Sequence, residues 1–245
     1  MIKSFCFIIA AGLLLPLAAS AQELFQSDII KTAAGELKMT FIGHASLMFE
    51  FGGMNIYFDP VMREADYSKM PSADLILITH EHSDHFDLEA LKNIRTAKTI
   101  LICPPVCKKA AGTCSVIKNG EKIVKRGITI QAIPAYNILH KRRNGQPFHP
   151  KGIGNGYIMT FGDKKVYIAG DTEDIPEMRA LTGIDIAFLP MNLPYTMTLD
   201  MTAAAAEAFR PHILYPYHFG DTNTQELVDL LKNDKDIEVR IRRLR

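Results

Sequence analysis

From residue 37 onward the chain is a succession of short apolar runs separated by polar, Gly-containing turns. Runs of alternating or continuous apolar residues predict strands over Leu37–Ile42, Leu47–Phe51, Asn55–Asp59, Leu75–Thr79, Thr99–Cys103, Ile128–Pro134, Tyr157–Phe161, Val166–Ala169, Ile186–Pro190, Ile213–Tyr217 and Ile237–Ile241. Apolar residues at helical spacing predict helices over Asp87–Ile94, Pro105–Ala111, Ile175–Leu181, Asp200–Phe209 and Thr224–Leu231. The early strands follow one another through turns such as Gly52-Gly53, as hairpins do, whereas the later strands alternate with helices. With no repeat and no Pro/Gly/Ser linker, this order reads as one α/β domain. The stretch before residue 37 shows little periodicity. The longest segment without a strand or helix signal, Tyr136–Gly156, carries His140 and His149, and a loop of that length inside a compact domain is usually functional.

Residues 1–21 have a different character. Lys3, an apolar run from Phe5 to Leu15 and the small series Ala18-Ala19-Ser20-Ala21 have the order of a secretory signal peptide with an A-x-A cleavage site. The apolar run is shorter than the roughly 20 residues that a spanning helix needs. The expectation is therefore an exported, periplasmic or secreted protein that begins at Gln22, with a single domain over 22–245 and no membrane attachment once the leader is removed. Losing Lys3 takes the 28 basic residues to 27, against 27 acidic ones. That balance, in a chain with 47% hydrophobic and 22% charged residues, excludes wholesale disorder and gives no charge-driven reason to bind nucleic acid. Beyond the leader there are three cysteines, an odd number, at spacings that do not make paired zinc knuckles. The expectation is a buried Cys103 and a Cys107–Cys114 bridge across the following turn.

The chemistry concentrates at Thr79-His80-Glu81-His82-Ser83-Asp84-His85, directly after the apolar run DLILIT. In extended backbone His80 and His82 project to the same side, and Asp84 and His85 follow at once, so four metal-capable side chains converge at one strand mouth. Two weaker signals have the same placement. KVYIAGD delivers Asp171 at a strand tip, and ILYPYHFGD delivers His218. Together they supply the carboxylate and the extra imidazole that a two-metal site needs.

On these residues the chain resembles the metallo-β-lactamase superfamily of metal-dependent hydrolases. The segment Phe41–Ser46, with Asp59 closing NIYFDP, is similar to the entry hairpins of the ascorbate-6-phosphate lactonase-like branch. The likeness runs from about residue 37 to about 220, with H-x-H-x-D-H at 80–85 as its most specific element and PAYN, AGDT and YPYHFGD as weaker ones. The resemblance implies a four-layer αββα sandwich. It implies His80 and His82 on a first metal, Asp84, His85 and His218 on a second, and Asp171 between the two. Where much of the superfamily has a third imidazole for the first metal, this chain has Asn137; His149, or else His140, would then come in from the long loop. It also implies hydrolysis of an ester, lactone, phosphoester or amide bond in a small molecule by a metal-bound hydroxide, with two zinc ions as the default and manganese or iron as alternatives. Asp84 would orient the hydroxide. His44 would contact substrate or act as an acid, or else be a packed, hydrogen-bonded histidine. The competing reading is a non-catalytic metal- or ligand-binding module on the same fold.

Overall fold

In the computed structural model, which describes residues 25–244, two seven-stranded sheets lie face to face. The leader reading of residues 1–21 and the start at Gln22 lie outside the described residues. The first sheet runs in chain order through β1 (Gln26–Thr32), β2 (Gly35–Gly43), β3 (Ser46–Phe51), β4 (Met54–Phe58), β5 (Leu75–Leu77), β6 (Ile100–Cys103) and β7 (Ser115–Val116). Its first four strands are antiparallel hairpins, and from β4 onward the pairing is parallel. Helices α1 (Leu88–Ile94) and α2 (Lys108–Ala111) lie in the β5–β6 and β6–β7 crossovers that parallel pairing requires, and the β4–β5 crossover is a loop with one 3₁₀ turn at Tyr67–Lys69.

The second sheet contains β8 (Lys122–Lys125), β9 (Ile128–Ala135), β10 (Gly154–Phe161), β11 (Lys164–Ile168), β12 (Ile186–Pro190), β13 (Ile213–Tyr217) and β14 (Glu238–Val239), neighbours again being consecutive in sequence. It is antiparallel from β8 to β11 and parallel from β11 to β14. Helices α3 (Pro176–Arg179), α4 (Leu199–Phe209) and α5 (Thr224–Leu231) connect its parallel strands.

Between the sheets lies one apolar cluster to which both contribute, including Phe41, Phe49 and Leu77 from the first and Tyr157, Phe161 and Phe188 from the second. A second cluster joins the outer face of the second sheet to α4 and α5 through Ala206, Phe209, Leu227 and Leu231. A third joins the first sheet to α1 through Ile76, Ala90, Leu91 and Ile94. Helix, sheet, sheet and helix thus form the four layers that the resemblance implied. The continuous apolar runs follow from this stacking: every residue of β12, covered on both faces, is buried.

Three strands had no counterpart in the sequence reading, namely β1, β7 and β8. All three are sheet edges, and Ile29 of β1, Val116 of β7 and Val124 of β8 are exposed. The segment Pro105–Ala111 opens as a 3₁₀ turn over Pro105–Cys107 before α2 begins. The cysteine expectation is corrected in one respect. Cys103 is buried in β6 as expected, but all three described cysteines are free, and the sulfur nearest Cys114 Sγ is that of Cys103, at 2.7 Å. The cause is β7, which folds back in parallel on β6 with Ile102 opposite Ser115 and so lays Cys114 beside Cys103.

Candidate metal centre

At the carboxyl ends of β5, β11 and β13 the strands stop and the chain turns, where ligands in open α/β sheets usually bind. His80 and His82 follow β5, Asp171 follows β11, and His218 follows β13. His44 occupies the β2–β3 turn, and His149 enters from the long loop between β9 and β10. His44, Asp59 and His218 are three of the five described non-glycine residues with positive φ, a concentration of backbone strain typical of functional sites. The backbones of His44 and His218 are tied by a hydrogen bond from His218 N to His44 O at 3.1 Å. Gly170 has a φ of +66°, and a Cβ there would come 2.9 Å from Asn155 O, so only glycine admits the turn that presents Asp171. The Tyr217 hydroxyl accepts the Gly170 amide at 2.7 Å and fixes that turn.

Three overlapping groups offer ligand atoms within 4.8 Å of one another: His80 with His82 and His149; His44 with Asp84, His85 and His218; and His80 with His85 and Asp171. The first two are lobes of one site, and the third spans them. Asp171 places Oδ2 3.2 Å from His149 Nε2 and 3.4 Å from His218 Nε2, and Oδ1 3.3 Å from His85 Nε2. It therefore touches both lobes, as a bridging carboxylate must.

The buried atoms in this cluster match a divalent metal. His80 Nε2, His85 Nε2, Asp171 Oδ1 and both ring nitrogens of His218 are buried without a hydrogen-bond partner, an arrangement that is costly unless a cation satisfies it. Burial holds the His80 imidazole well below its ordinary pKa and lowers that of His82, so both are neutral near pH 7, the form in which imidazole ligates. Burial alone would raise the Asp171 carboxyl, but the His218, His85 and His149 rings around it outweigh that and hold it well below the carboxylate range. Asp84 follows the same pattern: burial opposes ionisation, while the His218, His44 and His85 rings beside it keep it charged.

Asn137, at the position where an imidazole was missing, lies against His149. Its Oδ1 accepts the backbone amide of His149 at 2.8 Å and faces His149 Nδ1 at 2.7 Å, which turns His149 Nε2 towards His82 Nδ1, 3.2 Å away. Asn137 is thus the residue that aims the loop imidazole. His140 is not in the cluster; its Nδ1 lies 2.7 Å from Glu173 Oε1. His44 joins the second lobe, with Nε2 3.3 Å from Asp84 Oδ2 and its ring 3.8 Å from that of His218.

Two residues that position the site escaped the sequence reading as such. The buried Glu173 carboxylate accepts the consecutive amides of Ile138, Leu139 and His140 at 2.6–2.7 Å and the Asn137 side-chain amide at 3.1 Å, pinning the start of the long loop. Asp59 accepts Thr79 N at 2.8 Å and Thr79 Oγ1 at 2.6 Å, and stands 2.8 Å from His85 Nδ1. The only sequence signal for either was a carboxylate at a strand tip or just beyond AGDT.

Comparison with known proteins agrees with this geometry. The beta-lactamase superfamily domain matches residues 38–218. A UPF0173 metal-dependent hydrolase of Pyrococcus abyssi is 31% identical over 196 residues, covering 75% of this chain and 84% of the relative. The crystal structure of a candidate metal-dependent hydrolase from Parabacteroides distasonis superposes with a TM-score of 0.86 at 50% identity, covering 90% of this chain and 100% of that one. The metallo hydrolase Igni18 of Ignicoccus hospitalis shares the fold, with a TM-score of 0.67 at 24% identity over 84% of this chain and 94% of its own. A fold of two stacked sheets, a His/Asp cluster suited to divalent metal at their strand tips and a domain match that spans the cluster lead to one conclusion: the chain belongs to the beta-lactamase superfamily and is one of its metal-dependent hydrolases.

Proposed function

We propose that the protein is exported and hydrolyses an ester, lactone, phosphoester or amide bond in a small molecule, with two divalent cations, zinc by default, at the paired lobes. The observation that carries this reading is the convergence of His80, His82 and His149 on one side and His44, Asp84, His85 and His218 on the other, with Asp171 touching both. When bound, the cations supply Lewis acidity and make water ionisable near neutral pH.

The chain's own residues do the rest. The Asp84 carboxylate is about one-third exposed and faces an open cavity, where it can accept a proton from the attacking water and orient it. Asp171 keeps both lobes at a fixed separation. His44 holds Asp84 through its Nε2, which favours the positioning role over that of a free acid. Asn192 and Tyr195 line the same cavity and offer polar contacts to a substrate. Export rests on the order of charged, apolar and small residues in the first 21 positions.

A panel of phosphodiester, lactone, thioester and β-lactam substrates, run on the full-length gene product with and without chelator, tests the chemistry. Turnover that chelator abolishes and added zinc restores supports it, and turnover indifferent to chelator overturns it. Intact mass of the protein recovered from periplasm or medium tests export: a chain starting at Gln22 is expected, and a chain found only in the cytoplasm at full length refutes it.

A further inference from the structure

A cavity of about 420 Å³ opens at the site and is lined by residues of both lobes, His82 and His149 from the first and Asp84 and His218 from the second, with Asp171 between them. Arg142, from the long loop, forms part of its wall, as does Arg63. These two cations differ. Arg63 Nε is held by Glu64 Oε1 at 2.8 Å, so a carboxylate already offsets its charge. The Arg142 side chain has as hydrogen-bond neighbours, among the described residues, only Phe148 O at 3.2 Å and His82 Nε2 at 3.4 Å, neither of them an anion.

The backbone that carries Arg142 is fixed. Its amide donates to Gln146 O at 2.7 Å and its carbonyl accepts Gly145 N at 2.9 Å, closing a tight turn. Its guanidinium carbon lies 5.1 Å from the centre of the Phe148 ring, which packs edge-on against Tyr195. Arg142 is exposed, but its guanidinium rests against the Phe148 ring at the rim of the site without a counter-charge, so part of its rotamer freedom is already lost before a ligand arrives.

The contact with His82 adds a second element. His82 presents Nδ1 to the first lobe, 3.2 Å from His149 Nε2. An imidazole that ligates through Nδ1 carries its proton on Nε2. Nε2 then faces Arg142 Nη2 as a donor facing a donor, and neither satisfies the other. An oxyanion between them would accept from both. Arginine suits that task, since its fork matches the two oxygens of a carboxylate or phosphate.

We propose that Arg142, with His82 Nε2, is an oxyanion anchor, so that the substrate carries a carboxylate or phosphate group next to the bond that is cut. This rests on the hydrolase reading above and narrows it to anionic substrates. Arg142 is a specificity residue in this scheme: it binds the group that is not broken.

The test uses the zinc-loaded full chain with isothermal titration of two probes, inorganic phosphate and glutarate, into the wild type, Arg142→Gln and Arg142→Lys. Losing a charge-assisted fork should weaken the preferred probe by about ten-fold or more in Arg142→Gln, with a smaller loss in Arg142→Lys. Whichever probe binds more tightly tells phosphate from carboxylate. Zinc content equal to that of the wild type shows that the loop, and with it His149, remains in place. Unchanged affinity for both probes in Arg142→Gln overturns the proposal. In parallel, the 4-nitrophenyl monoester of glutarate and 4-nitrophenyl valerate are compared as substrates. The preference for the anionic ester, as a ratio of kcat/KM values, should fall about ten-fold in Arg142→Gln, chiefly through KM. If the wild type cleaves neither ester, it is the reading of these bonds as substrates that fails, while the titrations still decide the role of Arg142.

Discussion

His85 Nδ1 lies 2.8 Å from Asp59 Oδ2, and this buried pair sets the direction of the imidazole at the centre of the site. Nδ1 is occupied, so Nε2 is the atom left to face Asp171. A carboxylate behind a ligating histidine fixes its tautomer and raises its basicity, and losing such a partner typically costs about 10–100-fold in metal affinity. Asp59→Asn should therefore weaken metal binding by that order while the fold persists, because Asn can still accept the Thr79 amide. Competition against a chelating dye measures the change, and an affinity equal to that of the wild type would contradict the role given to Asp59.

The same pair predicts a pH dependence for the metal-free protein. Burial by itself would depress the His85 imidazole, but the Asp171 charge and the Asp59 hydrogen bond outweigh it and push the imidazole up to about 9. A histidine raised in the folded state contributes stability that is fully present below its ordinary value of 6.5 and is lost as pH climbs through about 9. The chelated protein should thus lose thermal stability across that window. The metal-loaded protein should show little of this loss, because the ligating ring has already given up its proton. Parallel melting curves at pH 6 and pH 9, with and without metal, decide the matter.

The loop that carries His149 depends on Glu173. Burial opposes ionisation of this carboxyl, but the amides of Leu139 and His140, the Asn137 side chain and the Ile138 amide together lower its pKa. Glu173→Gln replaces an acceptor of several N–H groups with a half-donor, and hydrogen bonds to a charged group contribute about 1.5–3 kcal/mol each. The expected result is a looser loop and reduced occupancy of the lobe formed by His80, His82 and His149. For the same reason His149→Ala should lower metal stoichiometry, whereas His140→Ala should leave it closer to the wild type. Equal, full occupancy in both histidine variants would remove His149 from the site.

What could be read in advance follows the burial pattern. Strands β12 and β13 were bounded correctly to the residue, because each is an apolar run enclosed by two layers. Strand β1 has the sequence QSDIIKT, pairs on one side only and exposes Ile29, so its pattern carries no sustained period. At the site, H-x-H-x-D-H was legible because its ligands sit within six residues of one chain segment. The contributions of Asn137 and Glu173 were hidden because they are made by contacts 12 residues apart for Asn137 and 33–36 residues apart for Glu173. His149 was visible only as a candidate, since nothing local says that Asn137 Oδ1 will turn it inward.

Cys114 lies beside Cys103 for a similar reason, through the parallel register of β6 and β7. Mild oxidation of the folded protein should join these two residues and leave Cys107 as the free thiol. Peptide mapping under non-reducing conditions distinguishes the outcomes, and a crosslink from Cys107 to Cys114 would contradict the observed arrangement. Burial and the neighbouring Cys114 sulfur raise the Cys103 thiol far above its ordinary value, so the reaction should start at the more exposed Cys114.

Asp84 provides the sharpest separation between binding and chemistry. It sits at the mouth of the second lobe with Oδ2 3.3 Å from His44 Nε2 and 3.7 Å from His218 Nε2, while part of its carboxylate faces the cavity. The strand before it, β5, is buried throughout, and helix α1 is capped independently by Asp87, which accepts the Glu89 and Ala90 amides. Neither element depends on the charge of Asp84. Asp84→Asn keeps the shape and one acceptor oxygen but removes the negative charge that orients water and takes up its proton. Positioned proton transfer is typically worth about 10²–10⁴-fold in rate. The variant should therefore lose activity by that order in kcat, with a melting temperature near that of the wild type and with His85, His218 and Asp171 still able to hold metal. Equal loss of metal and of activity would instead make Asp84 chiefly a ligand, and unchanged kcat would refute its part in the reaction.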